Sequence, residues 1–519
     1  MALRLVTVDD LAALLSAGRA HAVLDVRDLR ESEHGHVPGA AILPRRRLEF
    51  RIGALVRDRA TPLVVVDSGD EIAPGQRDPR AALAADTLAA LGYRDVAVLD
   101  GGMAAWRSAG RPTLPGIDVS SQALGRRIAD VEQVPTIDAG TLRQWQRDRR
   151  RVALCDVRGA AEHTGGCVPG AVSLPGFEAV THALDMAAES DVIVLCSGAS
   201  TRSLVIARTL IDLGLGDVAA LDGGTLAWSL AGHELERGSR RRRVAPSVPA
   251  RRFAELGAAR LAKHFGVGSL EAAELAALMA EARGNFSAFD LRDAGLAHVP
   301  HSVPVASDVL VVRHEELVAV RDAPVVLVDD DAVRALLTGV WLRRLGSAQV
   351  RTLAGGFAAW TQAGHPTSAF DDETPLGWRE AGALAPGLGV DDVSGWLATY
   401  APVHVLHVDT GASFRRGHLP GATWLPRGWL EARIAAVAPS LGQALLLTCD
   451  DGAQAAFAAA TLRRRGYVHV AWLRGGTRRW SAAGRSLETA PPPQDDGLPP
   501  PARRGPQAVR DDLDRERLR

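Results

Sequence analysis

Two cysteines stand where a short apolar segment ends and a loop leads into a helix. Cys196 follows Val192–Leu195, and Cys449 follows Leu445–Thr448. A continuous aliphatic run predicts a central parallel strand, and the loop after such a strand lies at the sheet edge where active sites form. Backbone N–H groups at the start of the next helix can lower the pKa of a thiol there. Cys196 and Cys449 are therefore the candidate catalytic nucleophiles.

The residues after each cysteine are candidates for binding substrate, because successive backbone N–H groups in such a loop form a concave anion site. Arg202 can add a positive charge to the first of these loops. The substrate-binding candidates are Ser197, Gly198, Ala199, Ser200, Thr201 and Arg202 after Cys196, and Asp450, Asp451, Gly452, Ala453 and Gln454 after Cys449.

The elements that must position these loops recur four times. A glycine pair is followed four residues later by tryptophan, and the tryptophans are 122, 132 and 120 residues apart. A period of this length is a whole small domain rather than a solenoid repeat. Apolar strands alternate with helices in each copy, which predicts an α/β fold of four tandem modules, each a small parallel sheet flanked by helices. The tryptophans are Trp106, Trp228, Trp360 and Trp480.

The copies differ at the position that carries the thiol. Alignment on the glycine pairs places Asp67 in the first copy and Asp329 in the third where the other two have Cys196 and Cys449. A carboxylate there is a favourable cap for the following helix, but it cannot act as a thiol nucleophile. The first and third copies are therefore expected to be catalytically silent.

Other motifs recur in the same order. Each copy begins with a strand that runs into Asp-x-Arg or a variant of it, and three copies then contain Pro-Gly-Ala, as at 38–40 and 420–422. In the fourth copy the corresponding segment is the variant His407-Val408-Asp409-Thr410. Together with the strand that ends in cysteine and the Gly-Gly-x-x-x-Trp motif, this series resembles the rhodanese (sulfurtransferase) family over about four fifths of the chain.

The resemblance implies that the loop cysteine becomes a persulfide and passes its outer sulfur to a thiol or another nucleophile. The expected donor is thiosulfate or a persulfide, and no cofactor or metal ion is predicted. Gln454 stands where many family members have arginine, and Asp450 and Asp451 are expected to repel thiosulfate. A neutral or cationic donor, or a protein persulfide, is therefore favoured at Cys449. Whether one cysteine is active, or both act as a relay, is open.

The second loop allows another enzymatic interpretation. Arg202 is six residues after Cys196, and 27 residues separate Cys196 from its glycine pair, whereas Cys449 is 26 residues from its own. This C-x5-R spacing resembles tyrosine phosphatases and arsenate reductases, in which arginine would clamp an oxyanion while the cysteine attacks it. The extra residue could instead lie elsewhere before Gly223. A non-catalytic interaction protein is the third possibility, since two copies lack the cysteine.

Gaps in the motif series place the domain boundaries. We expect domains at 1–115, 128–238, 265–370 and 385–489. Residues 490–519, which contain two Pro-Pro-Pro runs and many charges, are predicted to be a disordered tail.

The bulk composition narrows the partners. There are 60 basic and 61 acidic residues, which gives no electrostatic reason to expect nucleic acid or membrane partners. No apolar run is long enough to cross a membrane, and residues 1–15 lack a signal-peptide pattern. Four cysteines form no disulfide framework, so a cytoplasmic location is expected. Cys155 is predicted to be a core residue and Cys167 a surface-turn residue. The sequence leaves the oligomeric state open.

Overall fold

A computed structural model of the chain describes residues 3–114, 124–125, 127–281, 285–292, 297–369 and 374–489. Each of the four predicted domains contains a five-stranded sheet in which all pairs are parallel. This confirms the predicted α/β fold of four tandem modules. No helix in these ranges is long and apolar enough to cross a membrane. The predicted tail at 490–519 lies outside the described residues.

The strand that leads into each candidate loop lies at the centre of its sheet, which is why its residues are aliphatic and buried. All four sheets have the same strand order. From edge to edge, the strands are Arg4–Val6, Val96–Leu99, Leu63–Val66, Ala22–Asp25 and Ala41–Ile42 in the first domain; Thr136–Ile137, Val218–Leu221, Val192–Cys196, Val152–Asp156 and Val172–Ser173 in the second; Gly268–Leu270, Val350–Leu353, Val325–Val328, Ser287–Asp290 and Val303–Pro304 in the third; and Gly387–Leu388, His469–Leu473, Ala444–Thr448, Val403–His407 and Thr423–Trp424 in the fourth.

Helices cover both faces of each sheet. In the first domain an extra hairpin, Glu71–Ala73 with Gln76–Arg77, lengthens the loop before the helix. The main helices are Val8–Leu15, Leu29–Ser32, Leu48–Leu55, Arg80–Ala90 and Gly102–Ser108 in the first domain; Ala139–Arg147, Ala160–Gly165, Glu178–Thr181, Ala183–Glu189, Thr201–Asp212 and Gly224–Leu230 in the second; Ala272–Ala280, Ser307–Val312, His314–Leu317, Ala332–Arg344 and Gly356–Gln362 in the third; and Val390–Thr399, Gly411–Arg416, Leu430–Val437, Ala453–Arg464 and Gly476–Ala482 in the fourth.

Two further helices occupy segments between the predicted domains. Val248–Phe265 packs against Ala332–Arg344 of the third domain. Trp378–Leu384 packs against Ala453–Arg464, the helix that follows Cys449. The segments that join the domains are therefore partly helical and add to the packing of the domains that follow them.

The domains pack in two pairs, and one of these pairs joins the first and last domains of the chain. The first packs against the fourth, where Arg45 Nη2 lies 3.1 Å from Glu431 Oε1. The second packs against the third, where Trp341 donates from Nε1 to Thr209 Oγ1 at 2.9 Å within a shared apolar core. A backbone bridge between 21 and 321 also joins the first and third domains. Each candidate loop is thus close to a neighbouring domain.

Candidate functional site

The glycine pair at the end of each domain identifies the residue that begins the loop. In the fourth domain the N–H of Thr477 donates to the carbonyl oxygen of Cys449 at 2.9 Å. The equivalent N–H in the second domain, that of Thr225, donates to Ser197 at 2.9 Å, and in the first domain the acceptor is Asp67 at 3.0 Å. Ser197, not Cys196, is therefore the structural equivalent of Cys449.

The neighbouring strand gives the same register. The N–H of Val408 donates to the carbonyl of Thr448, at 2.9 Å, and the N–H of Val157 donates to Cys196, at 3.0 Å. Cys196 is thus the last residue of the strand Val192–Cys196. The predicted strand ends one residue too early, and the alignment of Cys196 with Cys449 is corrected by one residue. Counted from residue 197, the spacing to the glycine pair is the same 26 residues as in the fourth domain.

A shift of one residue places the two thiols on opposite faces of their sheets, because side chains alternate along a strand. Cys196 is fully buried in the cluster that contains Cys167 and Trp228. Burial, followed by the charge of Asp156, raises the pKa of the Cys196 thiol. Cys449 belongs to the opposite cluster, beneath the helix Ala453–Arg464. The Cys196 side chain lies in the core on the other face of the sheet, away from the loop that follows it. We therefore do not propose Cys196 as a nucleophile.

The polar side chains of the second-domain loop bond to residues of the second and third domains. Arg202 forms ion pairs with Glu162 at 2.8 Å and with Asp308 of the third domain at 3.2 Å. The hydroxyl of Ser200 contacts Asp222 at 3.1 Å and accepts the N–H of Gly223 at 2.8 Å. The phosphatase or arsenate-reductase interpretation needs a thiol in this loop and a guanidinium that is directed at an oxyanion, and neither is found here.

The other predicted substrate-binding residues of this loop make hydrogen bonds within the domain or begin its next helix. The hydroxyl of Ser197 donates to the carbonyl of Ala199, and Gly198 accepts the N–H of Leu226 at 3.4 Å. Thr201 begins the helix Thr201–Asp212.

The fourth domain holds its thiol in a cradle of backbone N–H groups. Cys449 Sγ accepts the N–H of Gly452 at 3.1 Å and that of Ala455 at 3.4 Å, and it lies 3.7 Å from Asp451 Oδ1. Gly452 has φ +93°, a conformation that favours glycine. A Cβ on Gly476 would lie 2.1 Å from the carbonyl oxygen of Cys449, so the glycine pair lets the last helix support the loop directly.

The electrostatic environment of Cys449 differs from the prediction. Burial is the main cause that raises the pKa of this thiol, and the charges of Asp409 and Asp451 act in the same direction. The N–H groups of Ala455 and Gly452 oppose this effect but do not outweigh it. The thiol is therefore held neutral in the structure, although the position at a helix N-terminus predicted a lowered pKa.

Asp409 occupies a position that belongs to arginine in the other domains. In the first domain Arg27 pairs with Asp25 at 2.6 Å, and the second and third domains repeat this pair. In the fourth, His407 and Asp409 replace these two residues, and His407 Nε2 lies 3.0 Å from the hydroxyl of Ser413. Burial lowers the pKa of His407 to about 4, so it is neutral. Burial also raises the pKa of Asp409.

The acidic loop residues have partners. Asp450 accepts the hydroxyl of Ser413 and forms an ion pair with Arg416 at 2.5 Å. Asp451 Oδ1 accepts the N–H of Ala453 at 2.9 Å, and Gln454 Oε1 accepts a bond from Arg427 at 3.4 Å.

An open cleft of about 1240 Å³ lies in front of this loop, between the fourth and first domains. Arg46, Arg47 and Phe50 of the first domain line it together with Arg416 and Arg478 of the fourth. No local pattern could identify the first-domain residues, because more than 350 positions separate them from the loop. The only local signal that could have drawn attention to them is the run of three arginines Arg45–Arg47.

Carboxylates fill the equivalent positions of the first and third domains. Asp67 accepts the N–H groups of Gly69 and Ala81, both at 3.0 Å, which supports the predicted capping role. Burial and the neighbouring Asp78 raise the pKa of Asp67 to about 7. Asp329 forms an ion pair with Arg334 at 2.5 Å.

The two remaining cysteines lie in the second domain. Cys155 is buried, as expected for a core residue. The predicted surface position of Cys167 is wrong, because its side chain is fully buried.

The fold and the thiol-bearing loop are those of a known class of protein. Comparison with family models identifies this class. The rhodanese-like domain model matches residues 7–109, 138–231, 271–363 and 390–483. These matches cover well over half of the chain, which therefore belongs to the rhodanese-like family. Each match lies within one of the predicted domain ranges.

A solved structure is similar over almost the whole chain. Thiosulfate sulfurtransferase from Pseudomonas aeruginosa is 31% identical and has a TM-score of 0.83, with 99% of this chain and 96% of that chain covered. A sulfurtransferase from Allochromatium vinosum is 35% identical over 100 residues, 19% of this chain and 92% of that protein. Together with the four domains, these matches identify a rhodanese-type sulfurtransferase.

A third relative has a different description. An HTH-type transcriptional regulator from Mycobacterium tuberculosis is 33% identical over 98 residues. The match covers 18% of this chain and 42% of the regulator, so it corresponds to about one rhodanese-like domain.

Proposed function

We propose that the chain transfers sulfane sulfur through a persulfide on Cys449. The observation that carries this proposal is the position of Cys449 Sγ, which accepts the N–H groups of Gly452 and Ala455 at the start of a twelve-residue helix. Two N–H donors at a helix N-terminus stabilise negative charge on sulfur. The three equivalent residues, Asp67, Ser197 and Asp329, offer no thiol.

The first half-reaction needs only this thiol and an anionic sulfur donor. Cys449 loses its proton, and the thiolate attacks the outer sulfur of thiosulfate. An S–S bond forms while the bond from that sulfur to the sulfonate group breaks, and sulfite leaves with the electron pair. The enzyme then holds Cys449 as a persulfide anion in the N–H cradle.

The second half-reaction returns the enzyme to its starting state. An acceptor thiolate attacks the outer sulfur of the persulfide, a new S–S bond forms on the acceptor, and the Cys449 thiolate leaves. Asp451 Oδ1, 3.7 Å from Cys449 Sγ, is a carboxylate to which the thiol can give its proton at the start of each cycle. A reducing compartment, which the cysteine usage of the sequence predicts, would keep the thiol free.

Thiosulfate becomes a more favourable donor than the sequence predicted. Asp450 is neutralised by Arg416, and the cleft contains three other arginines, Arg46, Arg47 and Arg478. The name of the Pseudomonas aeruginosa relative specifies the same donor for that protein. We propose thiosulfate or a small persulfide as donor and a small-molecule or protein thiol as acceptor.

Peptide mass spectrometry of the reduced protein tests this function. After incubation with thiosulfate, or separately with a persulfide donor, we expect added sulfur on the peptide that contains Cys449. The Cys449→Ser variant should acquire none, and Cys196→Ser should load as the wild type does. A folded wild-type protein with a free Cys449 thiol that gains no sulfur from either donor would refute the proposal and leave a non-catalytic interaction protein as the alternative.

A further inference from the structure

The loop of the fourth domain lacks the cation that the other three carry. Five residues after the first loop residue, the second and third domains have Arg202 and Arg334, and the equivalent position of the first domain is Arg80, the first residue of its helix. Each of these forms an ion pair with a carboxylate of its own domain. The fourth domain has the neutral Gln454. Its own loop therefore brings no positive charge to balance an anionic donor.

Two reciprocal ion pairs hold a segment of the first domain against this loop. Arg45 pairs with Glu431, and Arg427 of the fourth domain pairs with Glu49. Arg427 also donates to the backbone carbonyl of Arg46 at 3.1 Å. All four paired side chains are less than a tenth exposed, so the segment has a fixed place in the interface.

The next two arginines of this segment lie at the cleft. Arg46 and Arg47 both line it, together with Asp451 and Gln454 of the fourth-domain loop. Arg46 Nε is 3.9 Å from Asp28 Oδ1, which is longer than a direct hydrogen bond. Its charge also reaches the floor of the cleft, where it lowers the pKa of Asp409 against the stronger effect of burial.

At the loops of the second and first domains, a neighbouring domain also places a side chain against the loop arginine. Asp308 of the third domain corresponds to Arg46 in the strand register, and it forms an ion pair with Arg202 of the second-domain loop. Opposite the first-domain loop, the fourth domain places Trp429, whose ring lies 3.9 Å from the guanidinium carbon of Arg80. The loop with the thiol faces cations, whereas the loop with Arg202 faces a carboxylate.

We propose that Arg46 and Arg47, from a domain without a nucleophile, bind the anionic end of the sulfur donor at Cys449. The first domain thus completes the active site and selects a donor with a sulfonate-like group. This inference rests on the proposed sulfur transfer at Cys449. It assigns the silent first domain a direct role in substrate binding rather than a scaffold role alone.

Single-turnover loading of Cys449 by thiosulfate tests the assignment. In the double variant Arg46→Gln/Arg47→Gln we expect the thiosulfate concentration for half-maximal loading to rise about 10- to 100-fold, as for the loss of charge-assisted bonds. Arg51→Gln, on the helix Leu48–Leu55 that directly follows Arg46 and Arg47 but outside the cleft lining, is the matched control and should behave as wild type. The ion pairs of Arg45 and Arg427 remain, so the thermal midpoint should change little.

A second readout does not depend on sulfur chemistry. The rate at which iodoacetate alkylates Cys449, divided by the rate for neutral iodoacetamide, reports the local charge. The ratio should fall in the double variant and stay unchanged in Arg51→Gln. An unchanged ratio together with half-maximal loading within about twofold of wild type would overturn the assignment, even if Cys449 loads normally. A wild type that never loads but shows the expected fall in ratio would refute the sulfur transfer and leave the anion site standing.

Discussion

Ser197 and Cys449 occupy the same place in two copies of one fold. Each accepts, on its carbonyl oxygen, the N–H of the residue that follows the second glycine of its domain, at 2.9 Å in both cases. Cys196 corresponds instead to Thr448, the last residue of a buried strand. The chain therefore has one thiol in the loop position among the four domains, and that thiol is Cys449.

The register predicts that Cys196 can be replaced without loss of sulfur transfer. Val66 and Val328 end the equivalent strands of the first and third domains, so Cys196→Val should fit the same core position. We expect a stability change within about 1 kcal/mol and loading of Cys449 by thiosulfate within about twofold of wild type. Loss of loading in a folded Cys196→Val protein would contradict the register.

The glycine pair predicts a domain-specific effect. Gly476→Ala would place a Cβ 2.1 Å from the carbonyl oxygen of Cys449, and Gly224→Ala would create the same clash at Ser197. Both variants should lose about 2 kcal/mol or more of stability, but only Gly476→Ala should prevent loading of Cys449. Gly484→Ala, which has a positive φ but no atom within 4 Å of the new Cβ, controls for backbone strain alone.

Asp409 predicts the pH dependence of the thiol. Its negative charge adds to the effect of burial and raises the pKa of Cys449, so removal of the charge in Asp409→Asn should lower that pKa. Iodoacetamide should then alkylate Cys449 about tenfold faster near pH 8, because more thiolate is present. Asp391→Asn, at an exposed site, should leave the rate unchanged. An equal rate in Asp409→Asn would show that the charge of Asp409 does not contribute to the raised pKa of Cys449.

Asp67 predicts a pH dependence of stability in the first domain. Because burial and Asp78 raise its folded pKa to about 7, its proton stabilises the fold at low pH, and this stability is lost as pH rises from about 4 through about 7. Asp67→Asn should remove that loss, which is about 4 kcal/mol over the whole range and about 3 kcal/mol between pH 5 and pH 8. Thermal midpoints at pH 5 and pH 8 measure it, with Asp9→Asn as an exposed control. A wild-type midpoint that does not fall more steeply than that of Asp67→Asn would be the contrary result.

The sequence by itself determined the architecture. The fourfold glycine–tryptophan motif and the alternation of aliphatic strands with helices are local signals, and they predicted four parallel α/β domains correctly. They also placed Cys449 at the head of its loop. These features could be predicted because the covalent chain fixes their spacing. In addition, a strand that is buried on both faces is a continuous run of aliphatic residues, which can be recognised in the sequence.

Two features depended on the tertiary structure. A cysteine followed by a serine can end a strand in either of two registers, and only the pairing of Cys196 with Asp156 shows which side chain enters the core. Two cations of the cleft beside the Cys449 loop, Arg46 and Arg47, come from the first domain and reach the cleft because that domain packs against the fourth. Contacts between residues this far apart depend on the whole surface of both domains, and no local pattern of residues encodes them.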